Sequence, residues 1–354
     1  MQEEPALYGL TKSNRNFADP FYWGKNQFNS SFPAALACYM RDQKLPAVYL
    51  RHGRKSSTWI SEIGFDDVFG TKLPNNEIFF GFEERFAPFS DLIKDALPGI
   101  DLVLQNEKTK EYLRPLEVKL TTLPDSTTAE CGEDEYGSEL VVRSPTMRYM
   151  AMSMAKSCAN EFSAVRDIFE PSCGKIRDWD NLAEMTGKKD KIFKALEKFL
   201  NEFQDKEQPL LMQPIWKTLG KNPVLAENCL DIFVWSDFAL SRLFMDANRD
   251  SDEKISRPLR SALRLARFLY EISCNGKVFQ KPIYDGMTYD TLNDKEFSIS
   301  GAKTNAYMRC PRLTKPAIQK QQIKEIVLGG GQKFLSPERR FDAIIYYSED
   351  LFNE

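Results

Sequence analysis

Residues Pro98–Pro124 restrict the possible folds of this chain more than any other stretch. Ile100–Gln105 is apolar around one acid, Glu107–Glu111 is wholly polar, and Leu116–Leu120 alternates apolar with charged side chains. Period-two alternation sends successive side chains to opposite faces of a sheet, so the pattern predicts two β-strands joined by a polar turn. Glu117 and Lys119 then share one face, while Leu116, Val118 and Leu120 take the other. With Glu107–Glu111 as a five-residue hairpin loop, antiparallel register sets Asp101 opposite Glu117, Ile100 opposite Val118 and Leu102 opposite Leu116. Directly opposed residues hold their Cβ atoms roughly 4.5–5.5 Å apart. Two carboxylates and an ammonium are therefore expected on one patch with an apolar backing. Pro115 has no amide proton and needs a non-bonded position, an edge or a bulge in this register.

Such a cluster has a definite chemistry. Two carboxylates at that distance repel, which raises one pKa unless a cation sits between them. Hard divalent ions such as Mg²⁺ take oxygen ligands, keep several waters and often bind phosphates as well. A metal held there would polarise a phosphoryl oxygen and lower the pKa of a bound water. Lys119 would lie beside that water, orienting it or offsetting developing negative charge. The acid-x-Lys pattern occurs three times, at Asp42–Lys44, Glu117–Lys119 and Asp252–Lys254. Only the middle one sits in a strand pattern preceded by an Asp on an apolar segment. The competing reading is a surface hairpin with a cross-strand ion pair worth about 0.2–1 kcal/mol. Spacing alone leaves both open. Glu83 and Glu84, in the preceding strand candidate, are either further acids of the site or exposed surface.

Asp101 followed, fifteen residues intervening, by Glu117-Val118-Lys119 resembles the PD-(D/E)XK nuclease signature. Pro98-Gly99-Ile100-Asp101 stands for its first element, with the Pro three residues ahead of the Asp. A broader likeness covers Leu7–Arg15, Trp23–Pro33 and Val141–Met147, which together resemble type II restriction endonucleases of the HindVP type. The resemblance implies site-specific hydrolysis of phosphodiester bonds in double-stranded DNA with Mg²⁺. Asp101 and Glu117 would bind the metal, the Val118 carbonyl oxygen would join them, and Lys119 would position or activate the water. The implied fold is α/β, a restriction-endonuclease-like mixed central sheet flanked by helices, with N- and C-terminal elaborations. A short palindromic target, G-Pu-C-G-Py-C in this type, would call for a C2 homodimer. A cognate DNA methyltransferase is the expected genetic partner. Two rival readings stand beside this one: a structure-selective repair or junction nuclease, and a non-catalytic DNA-binding protein in which the hairpin is only structural.

The rest of the chain is consistent with an ordinary globular protein, at 42% hydrophobic and 28% charged residues. Met1–Pro5 is polar and acidic and no apolar run of about 18 residues occurs, so neither a signal peptide nor a membrane span is expected. Seven Cys without a C-x-x-C pair argue against a disulfide scaffold or zinc site and for a reducing cytoplasm. A single His, His52, excludes His-rich metal sites; it falls in what reads as a solvated basic loop, Arg51–Lys55. Net charge is −3, so DNA binding would rest on local basic clusters at Arg51–Lys55, Arg257–Arg267 and Gly329–Arg340. Lys25, Asn26, Arg143, Arg260, Arg264 and Arg267 are the candidate DNA contacts. The last three share a face of a helix over Arg257–Ile272, to be read as a phosphate-contacting face or an ordinary wet one.

One elaborated nuclease domain is expected, with a catalytic core at about 77–240 and recognition or dimerisation elements at 1–76 and 241–354. Residues 1–33 read as an extended arm, and Pro33 opens a helix through Met40. Val48–Arg51 and Glu77–Phe86 read as strands, and Phe89–Ala96 as a helix. Ser138–Arg143 is a strand and Ser144–Phe162 a helix whose methionines fill a core. Lys188–Phe203 and Ile318–Leu328 are helices; Leu230–Ser236 and Phe341–Tyr347 are strands, the former joining the sheet. Asp246–Asp252 imitates a calcium loop but has Ser251 and Arg257 where Gly and Glu are needed. Gly329–Lys333 lacks P-loop spacing.

Overall fold

Residues 7–15, 25–52, 58–120, 140–158, 161–179, 181–203, 210–213, 216–219, 222–225, 231–234, 241, 245, 257–279 and 295–299 are described in the computed structural model. The strands are β1 (Ala47–His52), β2 (Thr58–Ile63), β3 (Ile78–Glu84), β4 (Ile100–Asn106), β5 (Tyr112–Leu120), β6 (Leu140–Arg143), β7 (Leu210–Gln213), β8 (Trp216–Leu219), β9 (Asn222–Leu225), β10 (Asp231–Val234) and β11 (Lys295–Ile299). The helices are α1 (Lys25–Asp42), α2 (Phe65–Phe69), α3 (Ser144–Ser157), α4 (Phe162–Cys173), α5 (Leu182–Glu202) and α6 (Arg257–Asn275). Seven strands form one sheet in the order β2-β1-β7-β10-β5-β4-β3, while β6 pairs with β11 and β8 with β9. Among the described residues no helix is long and apolar enough to cross a membrane.

The α/β architecture agrees with expectation, but among the described residues the sheet is not mixed. Every described pairing within it is antiparallel. The cause lies in β10. Parallel strands need a long crossover, usually helical, and α3, α4 and α5 supply one between β5 and β7. Those two strands are each antiparallel to β10 and hence parallel to one another. β10 occupies the gap between them, so the crossover produces no parallel ladder.

Alternation along β4 divides the interior in two. Leu102 and Leu104 join Leu116 and Val118 in a cluster with Leu36 of α1 and Phe69 of α2. Val103, between them, joins a second cluster with Met147, Phe169, Phe199 and Leu269 from α3, α4, α5 and α6. The methionines expected in the core, Met147, Met150, Met152 and Met154, are all buried. Helices therefore cover both faces of the β3–β5 region.

Several boundaries differ from the pattern reading. Helix α1 begins at Lys25 and carries Pro33 inside it, so the arm is shorter than residues 1–33. An interior Pro costs roughly 3 kcal/mol; Ala34–Met40, buried in a row, outweigh it. Phe89–Ala96 is instead a 3₁₀ turn at Ala87–Leu92, after which Ile93 bridges to Val278. The helix expected over Ser144–Phe162 ends at Ser157, and α4 starts at Phe162. His52 closes β1 opposite Thr58 rather than entering a loop. The segments read at 246–252, 318–328, 329–333 and 341–347 lie outside the described residues.

The start of α5 shows how local chemistry fixes a boundary. The Asn181 side chain accepts from the Glu184 amide at 3.1 Å. Glu184 in turn pairs with Lys188 at 2.6 Å and accepts from the Arg177 and Asp178 amides. The Lys188 bond first, then the Arg177 amide, hold the Glu184 carboxyl down to about 2. A depressed folded pKa stabilises above the ordinary Glu range of about 4.3, and that stabilisation is lost as pH falls through the folded value. Glu184→Gln should accordingly flatten the fall of the urea midpoint between about pH 4.5 and pH 2; a slope equal to the parent's would contradict this. Asn181→Ala should cost about 1 kcal/mol at any pH.

Candidate active site

The β4–β5 hairpin forms as its sequence requires. The Asn106 side-chain oxygen accepts from the amides of Lys108 and Thr109 at 2.9 and 3.1 Å, folding the polar loop on itself. Leu102 faces Leu116 and Val103 faces Pro115, and a register shift follows between Leu104 and Gln105. Pro115 thus stands in the ladder close to a bulge.

β5 changes partner partway along its length. Its described pairing with β4 ends at Leu116, and from Glu117 to Leu120 it pairs with β10 on its other side. At this fork the Val118 amide donates to Asp101 Oδ2 at 2.9 Å. A side-chain carboxylate therefore takes the place of a main-chain acceptor. Glu117 is only 7% exposed, and its Oε1 accepts from Thr146 Oγ1 of α3 at 2.6 Å. A carboxylate removed from water is costly unless it is hydrogen-bonded or paired, and Thr146 supplies one such bond. Asp101 thus bonds the residue that follows Glu117 on β5. Lys119 occupies the position opposite Ile232; its side chain lies outside the described residues.

The chain is alike to known proteins over nearly its whole length. Residues 23–352 match the model of the HindVP restriction endonuclease family. The type II restriction enzyme HgiDI of Herpetosiphon aurantiacus is 40% identical over 352 residues, covering 99% of this chain and 98% of that protein. A Haemophilus influenzae protein named "probable type II restriction enzyme HindVP" is 38% identical over 354 residues, 99% of this chain and 96% of its own. The chain belongs to the HindVP restriction endonuclease family. It is a restriction endonuclease. No solved structure matches it.

In this HindVP-family enzyme the donor set at the fork suits a hard cation. All the donors are oxygens, and Val118 and Thr146 each bond one oxygen of a carboxylate. Among the described residues no group of three or more His, Cys, Asp and Glu is gathered for a metal. Mg²⁺ is commonly held by one or two carboxylates with waters and phosphate completing its shell, so two acids fit it.

Glu83 and Glu84 are committed to the N-terminal segment. Glu83 lies on β3 between the pairs Phe82–Leu102 and Glu84–Ile100, level with Asp101 of β4, and has φ +56°, uncommon for a residue with a side chain. Gly99 packs against it so closely that a Cβ there would lie 2.9 Å from the Glu83 carbonyl oxygen. Arg15 pairs with Glu83 at 3.4 Å, donates to Ser31 of α1 at 2.5 Å and lies 4.4 Å over the Phe82 ring. Burial lowers the Arg15 pKa, against the opposing pull of Glu83 and then Asp101. Asn14 brackets Phe82, donating to its carbonyl and accepting from its amide at 2.9 Å each, and also donates to Glu84. The Phe80 amide donates to the Lys12 carbonyl. Residues 12–15 therefore seal the edge of β3, as exposed edges usually require.

The proposed DNA contacts divide. Lys25 and Asn26 open α1, Arg143 ends β6 and Arg260 lies in the first turn of α6; their side chains are outside the described residues. Arg264 and Arg267 do not form the exposed phosphate-contacting face considered from sequence. Arg264 is 6% exposed, while Arg267 donates to Glu271 at 3.1 Å and stands over the Trp179 ring. Packing is the reason: Ala262, Leu263, Leu265, Ala266, Phe268 and Leu269 are all buried, so α6 is surrounded on most sides. Asn14, Arg15 and Thr146 were missed as site residues. They fall in the segments that carry the family likeness, yet no spacing links positions 14, 15 or 146 to 101 or 117.

Asn14→Ala removes two bonds to one strand residue. Amide exchange at Phe82 should speed up by an order of magnitude or more, since a lost hydrogen bond of about 1–1.5 kcal/mol corresponds to roughly tenfold. Unchanged protection at Phe82 would show that the arm does not seal this edge.

Proposed function

We propose that this enzyme is a type II endonuclease of the PD-(D/E)XK kind, hydrolysing double-stranded DNA with Mg²⁺ at a short palindromic site. The observation that carries the reading is the Val118–Asp101 bond, which sets the Asp101 carboxylate beside Glu117 where β4 and β5 part. Asp101 and Glu117, with the Val118 carbonyl, are the residues that would hold the ion. A bound Mg²⁺ would supply Lewis-acid stabilisation of phosphoryl charge and a more acidic water.

The chain's own part is positional and electrostatic. Lys119, two residues from Glu117 along β5, would orient the attacking water and offset negative charge as the phosphorus gains an oxygen and one ester bond breaks. A palindromic target would be met by a C2 homodimer, each subunit cutting one strand. The core at about 77–240, with recognition and dimerisation elements at 1–76 and 241–354, belongs to the same proposal. So do the G-Pu-C-G-Py-C site, the cytoplasmic setting and a cognate methyltransferase that protects the host sequence.

The test is incubation of the purified protein with plasmid and Mg²⁺, followed by sequencing of the fragment ends. Discrete bands with one common end sequence are expected. Cleavage confined to branched or damaged DNA would favour a structure-selective nuclease, and binding without cleavage a non-catalytic protein. Asp101→Ala, Glu117→Ala and Lys119→Ala should each lower the cutting rate by about a thousandfold or more, roughly 4 kcal/mol of barrier, while specific DNA binding persists. A variant cutting at the parent rate would remove that residue from the site.

A further inference from the structure

We propose that Thr146 is a positioning residue that sets the orientation of the Glu117 carboxylate, and through it the strength of metal binding. The inference rests on reading Glu117 as a metal ligand. The last torsion of a glutamate side chain is broad, so burial alone does not fix where its two oxygens point. A hydroxyl has one proton to give, and Thr146 spends it on Glu117 Oε1 at 2.6 Å, both residues being buried. With Oε1 tethered to α3, rotation of the carboxylate about its last torsion is restrained.

The tether is anchored at its other end. Three residues along the same helix, and so on the same face, the Tyr149 hydroxyl donates to the Pro98 carbonyl at 2.6 Å and accepts from the Phe86 amide at 3.1 Å. Pro98 leads directly into β4 and Asp101. Burial pushes the Tyr149 hydroxyl up to about 12, so it keeps its proton at neutral pH. The first turns of α3 thus hold Glu117 on one strand and the approach to Asp101 on the other, which fixes the two acids relative to each other. Partners that orient a metal ligand without touching the metal commonly change affinity or activity by about 10–100-fold when removed.

The experiment compares Thr146→Val, Thr146→Ala and Thr146→Ser with the parent in three measurements. They are Mn²⁺ binding to the DNA-free protein by loss of the free-ion EPR signal, cleavage rate against Mg²⁺ concentration, and metal-free DNA binding. Thr146→Val should weaken Mn²⁺ binding about 10–100-fold, raise the Mg²⁺ needed for cutting, and leave metal-free DNA binding unchanged. Thr146→Ser keeps the hydroxyl and should restore both metal readouts. If the valine variant does not fold, Thr146→Ala is read against Thr146→Ser in its place. Parent-like Mn²⁺ binding without the hydroxyl overturns the proposal, and so does equal weakening in the serine variant. Glu117→Ala separates the two levels: if it keeps parent Mn²⁺ affinity and cutting, the metal-ligand reading itself fails. If it loses both while Thr146→Val loses neither, only the role of Thr146 fails.

Discussion

The bond from the Val118 amide to the Asp101 carboxylate is the constraint on which the site depends. Two neighbouring strands can separate only if the amides they leave behind find other acceptors, because an unpaired main-chain group costs about as much as a lost hydrogen bond. At the β4–β5 fork a carboxylate answers that demand. β10 meanwhile takes up the opposite edge of β5 from Glu117 onward. The strands can therefore diverge where the acids sit, and a charged side chain also completes the backbone. An asparagine could not fill both roles, since it can bond the amide but carries no charge to hold a cation.

One cation from far along the chain, Arg15, acts on the charge of Asp101 at the fork. Arg15 is brought over Phe82 and against Glu83 by a segment that runs along the edge of β3. Its side chain is 7% exposed while that of Glu83 is 73% exposed, so the pair straddles the surface. Burial works against the guanidinium charge, and Glu83 and Asp101 work for it. The exposed half of this pair is screened by water and contributes little to stability. Its consequence is geometric: it holds Glu83 to the arm.

What could be read in the sequence was local. The hairpin, its five-residue loop and the pairing of Leu102 with Leu116 follow from a period of two and a polar turn. The buried methionines of α3 and the entry of β10 into the sheet follow from apolar patterning of the same kind. Partners are another matter. Nothing at residue 15 or 146 signals a neighbour at 83 or 117, because periodicity assigns a side chain to a face and not to a contact. Arg264 and Arg267 of α6 could be read as a phosphate-contacting or a wet face for the same reason. Their spacing was helical, but the helices that enclose them are set by the tertiary packing of α3, α4 and α5. β7, β8 and β9 have four residues each, too few for alternation to stand out.

The position of the acids between two cores follows from these contacts. Val118 belongs to the apolar cluster shared with α1 and α2, while its neighbour Glu117 reaches Thr146 on the helix whose next residue, Met147, lies in the other. Successive residues of one strand are thereby fixed from opposite sides of the sheet. Shifting the core of α1 and α2 would displace Val118, which bonds Asp101, while shifting the core of α3 would displace both the Thr146 support of Glu117 and the Tyr149 hold on the approach to Asp101, since interiors are close-packed and transmit displacement. The separation of Asp101 from Glu117 is thus controlled by the registry of the two cores as much as by the hairpin. A sheet covered on one face only would leave one of the two carboxylates to solvent, with its orientation unset.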